Sequence, residues 1–162
     1  MTVMKESHIE IERKFLVDGD FRSSSVDALH IVQGYLSTSA GATVRVRTMD
    51  DKGWLTIKGR TSVSGMSRFE WEKEIPLDEA RQLLLLCGSK VIDKMRYVVP
   101  FEGHVFEVDE FFGENEGLLM AEVELASEDE CFEKPAWLGA EVTGDVRYYN
   151  SCLLQNPYKD WK

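Results

Sequence analysis

Cysteine is scarce in this chain: Cys87, Cys131 and Cys152 are an odd set with no Cys-x-x-Cys pair and no zinc spacing. That argues against a disulfide framework and fits a reducing compartment, the cytoplasm. No apolar run approaches the roughly 18 residues of a membrane span, and residues 1–6 lack the apolar core of a secretion leader. A membrane partner is therefore not expected. Histidine is sparse too, and His8, His30 and His104 are scattered, which does not suggest a histidine-built metal centre. Positive charge is in deficit, with 19 Lys and Arg against 29 Asp and Glu and a net charge of −10. A protein that coats nucleic acid needs a basic surface, so nucleic acid is not an expected partner. No Pro- or Gly-rich linker, low-complexity tract or long repeat divides the 162 residues, and one domain is expected. Apolar residues, at 43%, suffice for a core and exclude a disordered chain.

What the chain has is alternation. Strands are predicted over 8–17, 31–37, 43–49, 54–58, 67–75, 91–99, 104–111 and 118–126, most of them joined by hairpins such as Asp50-Asp51-Lys52-Gly53. A helix over 79–87, capped by Asp78 and stopped by Gly88, offers Leu83, Leu84 and Leu86 for burial. The capping-box pattern Ser127-Glu128-Asp129-Glu130 predicts a short helix, and Cys87 and Cys131, placed in predicted helices, read as small core residues. A last helix is expected after Asp145, followed by a loose tail at Trp161. The fold class is mainly β with peripheral helices (α+β). About eight antiparallel strands close into a barrel or stack as a sandwich.

The charges follow the strands. Glu10, Glu12 and Lys14 share one face of the first strand, opposite Ile9, Ile11 and Phe15. Arg45 and Arg47 oppose Val44 and Val46, and Lys58 shares its face with Thr56. Glu70 and Glu72 oppose Phe69 and Trp71, and Lys94 and Arg96 oppose Met95 and Tyr97. Glu107 and Asp109 oppose Phe106 and Val108, and Glu122 and Glu124 oppose Ala121, Val123 and Leu125. Any one strand reads as the solvent face of an ordinary sandwich. Jointly the pattern is unusual, because nearly every polar position is a full charge and like charges sit two apart, which sheet stability disfavours. An inverted barrel with a charged lumen accounts for it. Buried charges need a guest, and a metal–polyphosphate complex suits both signs: carboxylates hold a hard cation, Arg and Lys the phosphate oxygens.

Glu10-x-Glu12-x-Lys14 resembles the N-terminal ExExK signature of the CYTH superfamily, the triphosphate tunnel metalloenzymes. The Arg45-x-Arg47, Lys58, Glu70-x-Glu72, Lys94-x-Arg96, Glu107-x-Asp109 and Glu122-x-Glu124 sets follow in that family's order. Glu141-Val142-Thr143-x-Asp145-x-Arg147-Tyr148 resembles its C-terminal segment. The resemblance implies a single tunnel domain over 1–162, with a core of about 8–150 and a C-terminal helix and tail over 146–162. It implies an eight-stranded antiparallel tunnel that binds triphosphate with Mg²⁺ or Mn²⁺. Glu10, Glu12, Glu122 and Glu124 would be metal ligands, with Asp109 beside them as ligand or support. Lys14, Arg45, Arg47, Lys58, Lys94 and Arg96 would bind phosphate, with Arg147 as an extra contact. Glu70, Glu72 and Glu107 would steady the basic side chains. Family members often carry a further lysine in the C-terminal stretch, where this chain has Val146 and Tyr149. The implied reaction is hydrolysis of inorganic tripolyphosphate to pyrophosphate and orthophosphate, with Glu10, Glu12, Lys14 and Glu124 as its catalytic groups. The alternatives are a class IV adenylyl cyclase and a non-catalytic polyphosphate-binding module. A homodimer is expected, because few helices are available to cover the outer apolar faces.

Overall fold

The structure, a computed structural model, describes residues 8–39 and 41–161; the opening residues 1–6 lie outside them. Alternating β-branched, aromatic and charged residues form nine strands: β1 (Ile9–Val17), β2 (Asp27–Thr38), β3 (Ala42–Met49), β4 (Lys52–Thr61), β5 (Ser67–Ile75), β6 (Val91–Phe101), β7 (His104–Phe111), β8 (Leu119–Glu124) and β9 (Leu138–Glu141). Among the described residues the α-helices are α1 (Leu77–Leu85) and the single-turn α2 (Asn150–Leu153), with four short 3-10 turns besides. Every strand pair is antiparallel. Neighbours run β5-β4-β3-β2-β6-β7-β8-β1, and β1 pairs back onto β5 to close the ring.

This is the expected eight-stranded barrel, with β9 as an unpredicted ninth strand outside the ring. The second edge of β1 is shared. Ile9, Glu10 and Ile11 pair with Phe69, Arg68 and Ser67 of β5, whereas Phe15 and Val17 pair with Glu141 and Leu138 of β9. Both halves of that edge are thereby covered.

The pleat sends alternate residues outward and inward. Outside, Phe15, Phe106, Val108, Ala121 and Val123 pack with Phe21, Val99 and Trp137 in one buried core. Inside, Ile92, Phe111 and Met120 share the face of Lys94, Asp109 and Glu122. They pack against Tyr148 and Leu153, so the C-terminal segment seals one end of the lumen with apolar side chains.

Helix α1 lies across β3 and β4, and two glycines permit its close approach. A Cβ on Gly53 would lie 2.6 Å from the Ala80 Cβ, and one on Gly34 would lie 2.6 Å from the Cys87 Sγ. Gly53→Ala should therefore lower stability by about 1–3 kcal/mol through overpacking. Chemical denaturation checks this, and an unchanged midpoint would contradict the close seat of α1.

Four local expectations are corrected. Helix α1 starts at Leu77 after Pro76, not at an Asp78 cap; Asp78 and Glu79 instead occupy its first turn, where acidic groups favour the helix dipole. Residues 127–130 form a turn, not a helix. The Glu130 carboxylate accepts from the Ala126 N–H at 2.9 Å, one residue before the Ser127 N–H that a capping box would use, and it is also held by His104 Nε2 at 2.6 Å. Cys131 is exposed and belongs to no core. Trp161 is not a loose tail: its ring packs edge-on against Tyr148 and Tyr158 at 5.0 and 5.2 Å, and its indole N–H donates to the Asn156 carbonyl.

Candidate active site

The inward positions of the ring enclose a cavity of about 270 Å³. Strand β1 contributes Glu10, Glu12 and Lys14; β3 contributes Thr43, Arg45 and Arg47; β4 contributes Lys58; and β5 contributes Arg68, Glu70 and Glu72. Lys94 and Arg96 come from β6, Glu107 from β7, and Glu122 and Glu124 from β8. The ring order therefore gathers an acidic wall over β7, β8 and β1 and a basic wall over β3 and β6. Across β1 and β8, Glu12 stands opposite Glu124 and Lys14 opposite Glu122. Strand pairing thus places Glu122 and Glu124 of one segment beside Glu12 of another.

The cations are held by carboxylates behind them. Arg96 makes a bidentate pair with Asp109, at 2.8 and 2.9 Å, and reaches Glu107 at 3.0 Å. Lys94 Nζ lies 2.8 Å from Asp109 Oδ2. Lys58 bridges Glu10 at 3.0 Å and Glu70 at 3.2 Å. Glu72 accepts from Arg45, Arg47 and the Thr56 hydroxyl at 3.3, 3.4 and 2.6 Å. Such pairs fix the direction of each guanidinium and ammonium while leaving other N–H donors for a ligand.

Burial and neighbouring charge shift the acids apart. Glu12 is pushed up to about 8, first by burial and then by Glu122, with Lys14 opposing. Glu10 is raised for the same first reason and by Glu70. Burial also pushes Glu122 upward, but Lys14, Arg96 and Lys94 outweigh it and hold the carboxyl down at about 2. Asp109 sits well below the usual carboxylate range because Arg96 and Lys94 outweigh its burial. Burial draws Lys94 down to about 8 against the pull of Asp109.

This donor set fits a hard divalent cation. It is made of carboxylate oxygens, and the raised Glu12 shows that one buried acid would rather hold a proton than add another negative charge. Glu10, Glu12, Glu122 and Glu124 are the residues that could hold the ion. Among the described residues, no three acidic, His or Cys side chains form a ready cage. Mg²⁺-type binding, through one or two carboxylates together with substrate phosphates, needs none.

The structure gathers most of the sequence-predicted site. Asp109 is only 2% exposed and behind the lining, where it acts as counter-ion to Arg96 and Lys94. Arg147 is a correction: its guanidinium is exposed, pairs with Asp145 at 2.7 Å and lies over Tyr148 and Trp161. It does not line the cavity, because Asp145 caps the turn that carries it. Tyr35, Thr43, Asn150 and Ser151, which the sequence does not mark as site residues, also line the cavity, as do Arg68, which shares the charged face of Glu70 and Glu72, and Tyr149. For Thr43, Tyr35 and Arg68 the signal is strand parity alone; Tyr149 stands where the resemblance looks for a further lysine, and Asn150 and Ser151 lie outside any strand and give none.

Comparison with known proteins agrees with this geometry. The CYTH domain matches residues 8–149. An inorganic triphosphatase of Acetivibrio thermocellus is 52% identical over 154 residues, covering 94% of this chain and 97% of that protein. An inorganic triphosphatase of Nitrosomonas europaea is 37% identical over 148 residues, covering 89% and 95%. The crystal structure of the inorganic triphosphatase NE1496 superposes with a TM-score of 0.65 at 34% identity, over 90% of this chain and 93% of that one. With its two-walled charged tunnel and a match over nearly its whole length, the chain belongs to the CYTH domain family.

Proposed function

We propose that this chain, acting as one tunnel domain, is a divalent-cation-dependent inorganic triphosphatase that hydrolyses tripolyphosphate to pyrophosphate and orthophosphate. The observation that carries this reading is the lining: cationic and anionic side chains nearly throughout, with Tyr35 and Tyr149 its aromatic members. A nucleoside needs an apolar slot for its base, and a polyanion with its counter-ion does not. The volume, about 270 Å³, lies just below the roughly 300–1,000 Å³ usual for drug-sized ligands, which suits a short phosphate chain. Relatives that bear the name inorganic triphosphatase, at 52% and 37% identity, support the same substrate.

Arg45, Arg47, Lys58, Lys94, Arg96 and Lys14 bind the phosphate oxygens, the arginines as forks and the lysines as point charges. Glu70, Glu72, Glu107 and Asp109 hold all of these cations but Lys14 in place, so little reorganisation accompanies charge movement in the transition state. Mg²⁺ or Mn²⁺ on Glu10, Glu12, Glu122 and Glu124 would supply charge neutralisation and a water of lowered pKa. A bond forms between water oxygen and the terminal phosphorus, the bridging P–O bond breaks, and pyrophosphate leaves against the basic wall.

Arg45→Ala is expected to raise KM for tripolyphosphate by about tenfold to a hundredfold, the worth of a charge-assisted hydrogen bond. Steady-state kinetics check this; unchanged KM and kcat would remove Arg45 from the cradle. The substrate assignment is tested by separating the products formed from tripolyphosphate and from ATP. Orthophosphate and pyrophosphate from tripolyphosphate, with little reaction of ATP, is the expected result. Cyclic AMP from ATP would overturn it in favour of cyclisation.

A further inference from the structure

Two consecutive residues of the C-terminal segment, Tyr149 and Asn150, each touch a different lysine of the tunnel. The Tyr149 ring lies under Lys14, with Nζ 4.6 Å from the ring centroid. Asn150 Oδ1 accepts from Lys94 Nζ at 2.9 Å. The same oxygen accepts from Gln33 Nε2 at 3.2 Å, and that nitrogen also donates to the Tyr35 hydroxyl at 3.1 Å. Gln33 is fully buried, so Asn150 is anchored from behind by a side chain with no access to water.

From this juxtaposition we infer that Tyr149 and Asn150 are positioning residues that aim Lys14 and Lys94 at the substrate phosphates. An ammonium has three N–H donors. On Lys94, Asp109 takes one at 2.8 Å and Asn150 a second at 2.9 Å, so the third is fixed in direction. On Lys14, Glu12 and Glu122 stand at 3.9 and 3.8 Å, beyond good hydrogen-bond distance. The Tyr149 face restricts that otherwise mobile side chain by a cation–π contact. Both aids are uncharged, so they orient the lysines without neutralising the charge that phosphate needs. The apolar plug that seats this segment, through Tyr148 and Leu153, thereby holds two functional lysines in register.

This inference rests on the triphosphatase reading, and double-mutant cycles separate the two. Asn150→Ala is combined with Lys94→Met, and Tyr149→Leu with Lys14→Met. Each variant is followed by kcat/KM for tripolyphosphate, by calorimetric tripolyphosphate binding and by thermal midpoint. Asn150→Ala should lower kcat/KM by about tenfold in the natural background, the scale of a hydrogen bond to a charged group, and by less than about twofold once Lys94 is gone. Tyr149→Leu should behave in the same way toward Lys14, and Tyr149→Phe, which keeps the ring, should stay within about twofold of the unaltered protein. Equal losses in both backgrounds, or failure of phenylalanine to rescue, would overturn the positioning roles. If Asn150→Ala loses the fold, Asn150→Ser provides the milder truncation for the same cycle. An unaltered protein that binds tripolyphosphate without turning it over would overturn the hydrolase reading alone, and the binding cycle would still decide the positioning roles.

Discussion

Glu12→Gln is expected to lower cation-dependent tripolyphosphate turnover by about a thousandfold while leaving the fold intact, the scale seen when transition-state electrostatic support is lost. Glu12 stands opposite Glu124 in the strand pairing, with Lys14 Nζ 3.9 Å from its carboxylate. Glutamine keeps the size and can still offer a carbonyl oxygen, but it removes the negative charge that favours a divalent ion. Stability should move the other way. The carboxyl of Glu12 is raised to about 8, first by burial, so its contribution to stability is present below its unfolded pKa and is lost as pH rises through about 8. Glutamine does not ionise. In chelator, the thermal midpoint of the variant relative to the unaltered protein should therefore climb between pH 5 and pH 8. Full activity in the variant, or a midpoint gap that narrows over that range, would contradict the assignment.

Asp109→Ala is expected to cost about 3–5 kcal/mol of folding stability, because it takes from buried Lys94 its 2.8 Å carboxylate and leaves buried Arg96 only Glu107. Lys94 and Arg96 are only 1% and 8% exposed, and Asp109 is their shared partner, through a bidentate fork and a 2.8 Å ammonium contact. The Asp109 carboxyl lies well below its ordinary range. Its stabilisation is present above the unfolded pKa and is lost as pH falls through the folded value. The gap between natural and variant proteins should thus be level near neutrality and shrink below about pH 4. Denaturant unfolding at neutral and acid pH measures both; a loss under about 1 kcal/mol at pH 7 would show that the pair contributes little.

Strand parity makes most of the tunnel legible in the sequence. A period of two forces Glu10, Glu12 and Lys14 to one side, and the apolar partners Ile11 and Phe15 decide which side faces the packed exterior. The residues that stay hidden do so for physical reasons. Gln33 and Tyr35 face inward on β2 beside Leu29 and Ile31, a stretch of that face without charge that reads like any buried strand. Strand β9 has four residues and follows Pro135 and Trp137, too short for alternation to register. Tyr149 and Asn150 reach the lysines only because the apolar plug folds the C-terminal segment back into the barrel end, a long-range arrangement that the local sequence marks only by the missing lysine at Tyr149. Arg147 resembles a phosphate ligand by its neighbours in sequence, but Asp145 two residues away competes for its guanidinium.

The most direct measurement is the initial rate of orthophosphate release from tripolyphosphate by the purified protein, first in chelator and then across a titration of Mg²⁺ and of Mn²⁺. Release that is absent in chelator and rises to saturation with added cation is the expected result, since in the proposed reading tunnel carboxylates and a polyanion share the ion. Release that persists undiminished in chelator, or none at any cation concentration from a folded protein that binds tripolyphosphate, would contradict a cation-dependent triphosphatase.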